Sequence, residues 1–332
     1  MNMLYLHGLG HFYPENVITN RFLEDLDIGT SEEWILERVG IRTRRTVLPL
    51  DYIRETKNRD PRAAIEAGLY KNAQTGAAAA RMALDRAGLE PENIGLVISG
   101  SSAPDSVSPA EASTVAAELG IDVPCFDLNT ACTSFGTQIH VLLGMRPDHL
   151  PPFVLVVNPE NLTRCMDYSD RNSAVLFGDG SSAAVLSATV PASAAFVSCH
   201  MDSKPTAWDK VTIPRMGYFR QDGNAVQGFA IRKTTESLRQ LQSSYPVDSD
   251  RFKFIGHQAN LGMLETACER AGIEKKNHWH NVEDFGNTGC SSAPAVLSRH
   301  RDELRPGDHV AIALVGAGLS WVHMMLTVGG EP

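Results

Sequence analysis

A chain of 332 residues, 43% of them hydrophobic, can bury a large core and is long enough for two domains or one duplicated unit. Its formal net charge of −9 argues against nucleic acid as a partner, because phosphate neutralisation needs a concentration of Lys and Arg that is absent here. No stretch approaches the ~18 apolar residues of a membrane span, and MNMLYLHGLG lacks the basic and apolar regions of a leader, so the expectation is a cytoplasmic protein with no membrane partner.

In chain order, TSEEWILERVGIRTRR (30 to 45) carries Trp34, which on its own reads as the core anchor of an amphipathic helix. The segment 48 to 70, LPLDYIRETKNRDPRAAIEAGLY, is densely charged with two prolines. It reads as a solvated connection, or as a lid or binding loop bordering a substrate entrance. Apolar strand-like runs follow at IGLVISG (94 to 100), PCFDLN, PFVLVVN (152 to 158) and AAVLSAT (183 to 189), separated by helical patterns. A second series runs through FVSCHM, a helical stretch, FKFIGHQ (252 to 258), another helix and HVAIALVGAGLSWVHMMLTV (309 to 328). This alternation predicts an α/β protein with a central sheet. Both series close on a Gly-rich turn feeding an apolar strand, which suggests duplicated halves at 1–190 and 191–332.

Six cysteines, at 125, 132, 165, 199, 268 and 290, form no C-x-x-C pair, so neither zinc-ribbon spacing nor a disulfide framework is expected. Each alone reads as a small buried hydrophobe. Cys125 lies within a strand run and reads as packing. Cys132 differs, because the strand delivers it to the start of a helix pattern, beside unpaired N–H groups and the positive end of the helix dipole. Such a setting lowers a cysteine pKa from ~8.5 towards ~3.5–7.5, so a thiolate nucleophile is expected. Acyl chemistry at sulfur also needs a proton-handling partner and an oxyanion site. His257, directly after a strand in FIGHQAN, and Asn287, in the Gly-flanked turn of EDFGNTGCSSAP, are the candidates.

Cys132 in NTACTSFG, His257 in GHQAN and Asn287 in GNTGCSSAP resemble, in order and spacing, the Cys-His-Asn set of the β-ketoacyl-acyl-carrier-protein synthase III family. TSEEWILERVGIRTRR and DRNSAVLFGDGSSAAVL (170 to 186) extend the resemblance over nearly the whole chain. It implies a thiolase-like duplicated α-β-α-β-α five-layer fold and a homodimer. It also implies a reaction in which Cys132 takes an acyl group from an acyl-CoA and condenses it with a malonyl thioester, with loss of carbon dioxide. An acyltransferase moving the acyl group to a hydroxyl or amine is the alternative on the same scaffold. No metal or cofactor is implied, CoA thioester being substrate. His257 and Asn287 would donate to the enolate, and the backbone N–H groups of Cys132 and Ala317 would form the oxyanion hole. Alanine at 317, where the family often has glycine, requires ordinary backbone angles.

By the same resemblance Trp34 and Arg171 sandwich the CoA adenine, Arg38 meets the nucleotide, and Asn260 orders the cleft. Ser108 falls where short-chain enzymes often carry a phenylalanine reaching across the dimer, which leaves room in the acyl pocket for longer chains. A plain reading makes Ser108 the cap of a helix beginning near Pro109. Gly262 and Glu269 stand where the family often has basic residues facing an acyl carrier protein, with Arg232, Lys233 and Arg270 as partial compensation. These departures, with NPENLTR (158 to 164), point to a specialised paralogue.

Overall fold

The computed structural model describes residues 3–329. Its framework is nine strands: β1 (Leu4–Phe12), β2 (Leu96–Ser99), β3 (Cys125–Asp127), β4 (Val154–Glu160), β5 (Gly180–Ser187), β6 (Ala194–Ser203), β7 (Phe252–Gly256), β8 (His309–Gly316) and β9 (Ser320–Val328). They hydrogen-bond in the spatial order β7-β8-β9-β6-β1-β5-β4-β2-β3. The β1–β6 join in the middle is short, running only from Leu4↔Phe196 to Leu6↔Ala194. On one side of it β2 pairs parallel with β4, β4 antiparallel with β5, and β5 antiparallel with β1. On the other side β7 pairs parallel with β8, β8 antiparallel with β9, and β9 antiparallel with β6. The same pairing scheme therefore occurs twice, and residue 190 lies in the connection between the two series.

Seven helices complete the layers: α1 (Glu32–Val39), α2 (Asn72–Ala87), α3 (Glu111–Leu119), α4 (Ser134–Gly144), α5 (Gly223–Ser244), α6 (Leu261–Ala271) and α7 (Ser292–Arg299). α2 packs on β1, β4 and β5, with α3 beside it, and α5 packs on β8 and β9, with α6 beside it. α4 and α7 touch strands of both series and form the middle layer. The result is the five-layer α-β-α-β-α fold implied by the resemblance. A fully buried middle layer needs helices apolar on both faces. Phe135, Ile139 and Leu142 of α4 and Ala293, Val296 and Leu297 of α7 meet that need, packing with Leu4, Leu6 and Leu9 of β1. On the opposite face of β1 the backbone of α2 comes so close that a Cβ at Gly8 or Gly10 would collide with the carbonyls of Ala83 and Ala79. Among the described residues no helix is long and apolar enough to cross a membrane.

One expectation is corrected. The 48 to 70 segment is two short helices, Leu50–Thr56 and Pro61–Ala67, and no residue of it borders the main cavity. Leu48, Ile53 and Ala64 are buried in the core. Buried Asn58 donates through Nδ2 to the carbonyls of Arg164 (2.9 Å) and Met166 (2.8 Å). The prolines start helices rather than break them: Pro49 is the N-cap residue of the first and Pro61 the first residue of the second. Three apolar anchors among many solvated charges make the segment a structural strap.

Candidate active site

Two turns of nearly identical construction face each other across the middle layer. In the first, Asn129 Oδ1 accepts from the Ala131 N–H (2.8 Å), Thr133 Oγ1 donates to the Thr130 carbonyl (2.8 Å), and Ser134 Oγ donates to the Ala131 carbonyl (2.7 Å). In the second, Asn287 Oδ1 accepts from the Gly289 N–H (2.9 Å), Ser291 Oγ donates to the Thr288 carbonyl (2.7 Å), and Ser292 Oγ donates to the Gly289 carbonyl (2.8 Å). Ala131 and Gly289 occupy the same left-handed position, with φ of 52° and 56°. These turns read N-T-A-C-T-S (129 to 134) and N-T-G-C-S-S (287 to 292). The first presents Cys132 to the cavity and the second presents Asn287.

Gly316, at the end of β8, leaves the space that Cys132 occupies: a Cβ there would lie 3.1 Å from Cys132 Cβ. Thr133 Oγ1 bonds Ser320 Oγ at 2.8 Å, tying the cysteine turn to the hairpin that carries Ala317. Ala317 is not among the residues with positive φ, so its side chain costs nothing in backbone strain. His257 follows β7, its N–H bonded to the Ala313 carbonyl at 3.0 Å. Its Nδ1 lies 3.5 Å from Ser292 Oγ, which can accept from that nitrogen or, rotated, donate to it. Burial holds the imidazole neutral, its pKa pushed down to about 4.

The expected thiolate is not the resting state. Burial first, and the Glu160 carboxyl second, push the Cys132 thiol up to about 12. The helix N–H groups that were to stabilise it are taken, since Thr133 N–H bonds the Thr130 carbonyl (3.3 Å) and Ser134 N–H the Ala131 carbonyl (2.9 Å). α4 moreover begins at Ser134, two residues past the sulfur. The cysteine is held as a thiol in the cavity that a neutral imidazole also lines.

One cavity of about 710 Å³ is bordered by Cys132, His257, Asn287, Ala317, Trp34, Arg38 and Asn260. Trp34 is half-buried on α1, and the Arg171 guanidinium carbon stands 5.0 Å from its ring centroid, its Nη1 held by the Gly29 carbonyl. Asn260 caps α6 by accepting from Met263 N–H (3.1 Å), and its Nδ2 donates to the Arg38 carbonyl (3.1 Å), clipping α1 to α6. Lys233 sits 4.3 Å above the Trp321 ring and pairs with Glu236 at 2.9 Å. Ser108 lies elsewhere: it is exposed in the 104–110 loop, outside this chain's cavity. It is also not a helix cap, because α3 begins at Glu111 with Ala110 at the N-cap position. Cys125 is half-buried on edge strand β3, its Sγ donating to the Val123 carbonyl.

Sequence reasoning gave no role to Glu160, Ser292 or Gly316, and read Cys290 only as a small buried hydrophobe, which it is. The repeated N-T-x-C-[TS]-S pattern was the available signal for the last.

A cysteine, a neutral histidine and an asparagine converging on one cavity of a five-layer fold make a set suited to cysteine acyl-enzyme chemistry. The family profile described as 3-oxoacyl-[acyl-carrier-protein (ACP)] synthase III matches residues 126–205, and its C-terminal counterpart matches residues 247–328. The chain is 27% identical over 344 residues to the beta-ketoacyl-[acyl-carrier-protein] synthase III of Sulfurovum sp. (strain NBC37-1), covering 98% of this chain and 95% of that protein. The crystal structure of 3-oxoacyl-[acyl-carrier-protein] synthase III from Aquifex aeolicus VF5 superposes with a TM-score of 0.86 at 28% identity, covering 98% of this chain and 99% of that one. The priming beta-ketosynthase of the R1128 polyketide pathway gives 0.84 at 26% identity, covering 100% and 98%. The chain belongs to the 3-oxoacyl-[acyl-carrier-protein] synthase III family.

Proposed function

We propose that this enzyme is a β-ketoacyl synthase III that acylates Cys132 from an acyl-CoA and condenses the acyl group with a malonyl thioester. The observation that carries the residue assignment is that Cys132, neutral His257 and Asn287 border one cavity. In the first half-reaction His257 takes the Cys132 proton as sulfur attacks the thioester carbonyl. The N–H groups of Cys132 and Ala317 hold the resulting oxyanion, and the proton leaves with the departing CoA thiol. In the second, the malonyl carboxylate leaves as carbon dioxide. The enolate oxygen accepts from His257 Nε2–H and Asn287 Nδ2–H. Its carbon attacks the acyl-cysteine, and the released Cys132 sulfur regains a proton. Ser292, able to donate to or accept from Nδ1, suits both tautomers that His257 needs.

The Arg171 guanidinium carbon stands 5.0 Å from the Trp34 ring centroid, closer than the roughly 7 Å that two stacking contacts need. The expected adenine sandwich therefore requires Arg171 to leave the Gly29 carbonyl and swing out, with Arg38 at the same rim for the charged part of the nucleotide. A homodimer is supported by β3, which lies at the sheet edge with Phe126 37% exposed, and by Val107, 73% exposed in the adjoining loop. Ser108 follows Val107, so it can act on acyl length only through the partner's cavity. An acyl carrier protein as malonyl donor is the further partner we propose. Intact-mass measurement after mixing with an acyl-CoA series, then with malonyl-CoA or a malonyl carrier protein, tests the reading. Expected are a stable acyl adduct on Cys132, and carbon dioxide release only on adding the malonyl thioester. Adducts on a Cys132→Ala variant would overturn it.

A further inference from the structure

Glu160 lies at the end of β4, fully buried and away from the cavity. Its Oε1 accepts from the Ser102 N–H (2.9 Å), the Ser102 hydroxyl (2.8 Å), the Cys290 N–H (3.3 Å) and the Cys290 thiol (3.0 Å). Oε2 is buried with no hydrogen-bond partner. So lopsided an arrangement costs desolvation of the carboxyl, offset by the four donors that Oε1 gathers from two distant parts of the chain. What Oε1 holds is the turn carrying Asn287. The Cys290 N–H is fixed directly, and a Cβ on Gly289 would lie 2.7 Å from Oε1 and 2.9 Å from Leu162 Cδ1, so the carboxyl packs against that backbone beside Leu162. Gly289 N–H in turn occupies Asn287 Oδ1. A backbone donor requires an oxygen there, which fixes the amide orientation and leaves Nδ2–H for the cavity.

The pairing registers sharpen the point. Gly100 N–H bonds the Val157 carbonyl as His257 N–H bonds the Ala313 carbonyl. Three residues further along the partner strand stands Glu160 in one series and Gly316 in the other. Gly316 leaves room for Cys132, whereas Glu160 covers Cys290, whose thiol also meets the Gly100 carbonyl at 3.2 Å. The thiols of Cys132, Cys165 and Cys290 all feel the charge of this carboxyl. The Arg164 guanidinium, four residues on in the chain, is engaged by Asp105.

We propose that Glu160 is a positioning residue for condensation: through Cys290 and Gly289 it locks the turn that aims the Asn287 amide at the enolate, without touching substrate. The inference rests on the reading of Asn287 given above. Its test is to split the half-reactions in full-length Glu160→Ala, Glu160→Gln and Asn287→Ala variants. Acyl loading of Cys132 is followed by intact mass, carbon dioxide release from malonyl-CoA is measured on the loaded enzyme, and Tm is recorded. Glu160→Ala should lose release at least about tenfold more than loading, since it frees one oxyanion donor to wander. Glu160→Gln, which keeps an acceptor oxygen for the same donors, should restore most of it. Equal losses in both half-reactions that track Tm, or no loss, overturn the proposal. Should Glu160→Ala fail to fold, Cys290→Ala, which removes the thiol contact and keeps the N–H, must show the same split at smaller size, and absence of the split overturns the proposal. Full release by Asn287→Ala would refute the reading of Asn287. Lost release in Asn287→Ala with unaffected release in Glu160→Ala would refute this inference alone.

Discussion

The cysteine turn and the asparagine turn share sequence pattern, side-chain hydrogen bonds and a left-handed third residue, yet they present different groups to the same cavity. In the first turn the fourth residue, Cys132, faces the cavity and is the proposed nucleophile. In the second turn the fourth residue, Cys290, is buried and the first residue, Asn287, faces the cavity. What decides between them is the strand residue behind each turn. Gly316 has no side chain and leaves its cysteine open, whereas Glu160 caps the other thiol, which burial and that carboxyl push well above the ordinary cysteine range. A repeated backbone can thus present a thiol from one turn and an amide from the other, the proposed nucleophile and enolate anchor, by changing side chains outside the turns themselves.

The comparison breaks most sharply at the two cysteines. Cys132→Ala should abolish acyl loading, while Cys290→Ala should load at a rate close to wild type, read by intact mass against an acyl-CoA. Iodoacetamide labelling of Cys132 should climb with pH and reach no plateau below about pH 9, because its thiol is pushed up to about 12 and only the thiolate reacts. A plateau near neutrality would mean that the helix terminus outweighs burial. Next in size is Gly316→Ala, whose Cβ would stand 3.1 Å from Cys132 Cβ and 3.3 Å from its amide nitrogen. Displacing the sulfur by a fraction of an ångström should slow loading roughly ten- to a hundredfold with little change in Tm. Unaltered loading would show that the glycine is not what keeps this turn open.

Much of this was legible in the sequence, and the gaps have physical causes. Strands such as FKFIGHQ and HVAIALVG are apolar runs ended by polar or Gly punctuation, and Cys132, His257 and Asn287 stand at strand ends or in turns, where chemistry-bearing residues stand out. The strand Leu4–Phe12 and helix Asn72–Ala87 went unread because their contact is made of Gly8, Gly10 and a run of alanines, a close backbone approach whose helical stripe consists of small residues rather than large apolar ones. Glu160 entered the sequence reading only as part of NPENLTR, since its four donors come from Ser102 and Cys290, far away in the chain. The thiolate expectation failed because helix position is local while burial is not. The N–H groups at 133 and 134 had already been used by the turn.

The smallest expected effect concerns the third residue of each turn. Ala131 holds φ of 52°, a region that costs an L-residue with a Cβ roughly 1–2 kcal/mol, offset in glycine by about 0.5–1 kcal/mol of extra chain entropy. Ala131→Gly should therefore leave stability within about 1 kcal/mol of wild type, on the stabilised side, measured by denaturant unfolding. Gly289→Ala meets the same φ penalty and, in addition, the Glu160 carboxyl at 2.7 Å, with no flexible end to give way because Oε1 is held by Ser102 and Cys290. It should destabilise by more than Ala131→Gly stabilises, and Glu160→Gln should not relieve it, because the amide has the same volume. Equal tolerance of alanine at both positions would show that the second turn has room, and that Glu160 does not grip it.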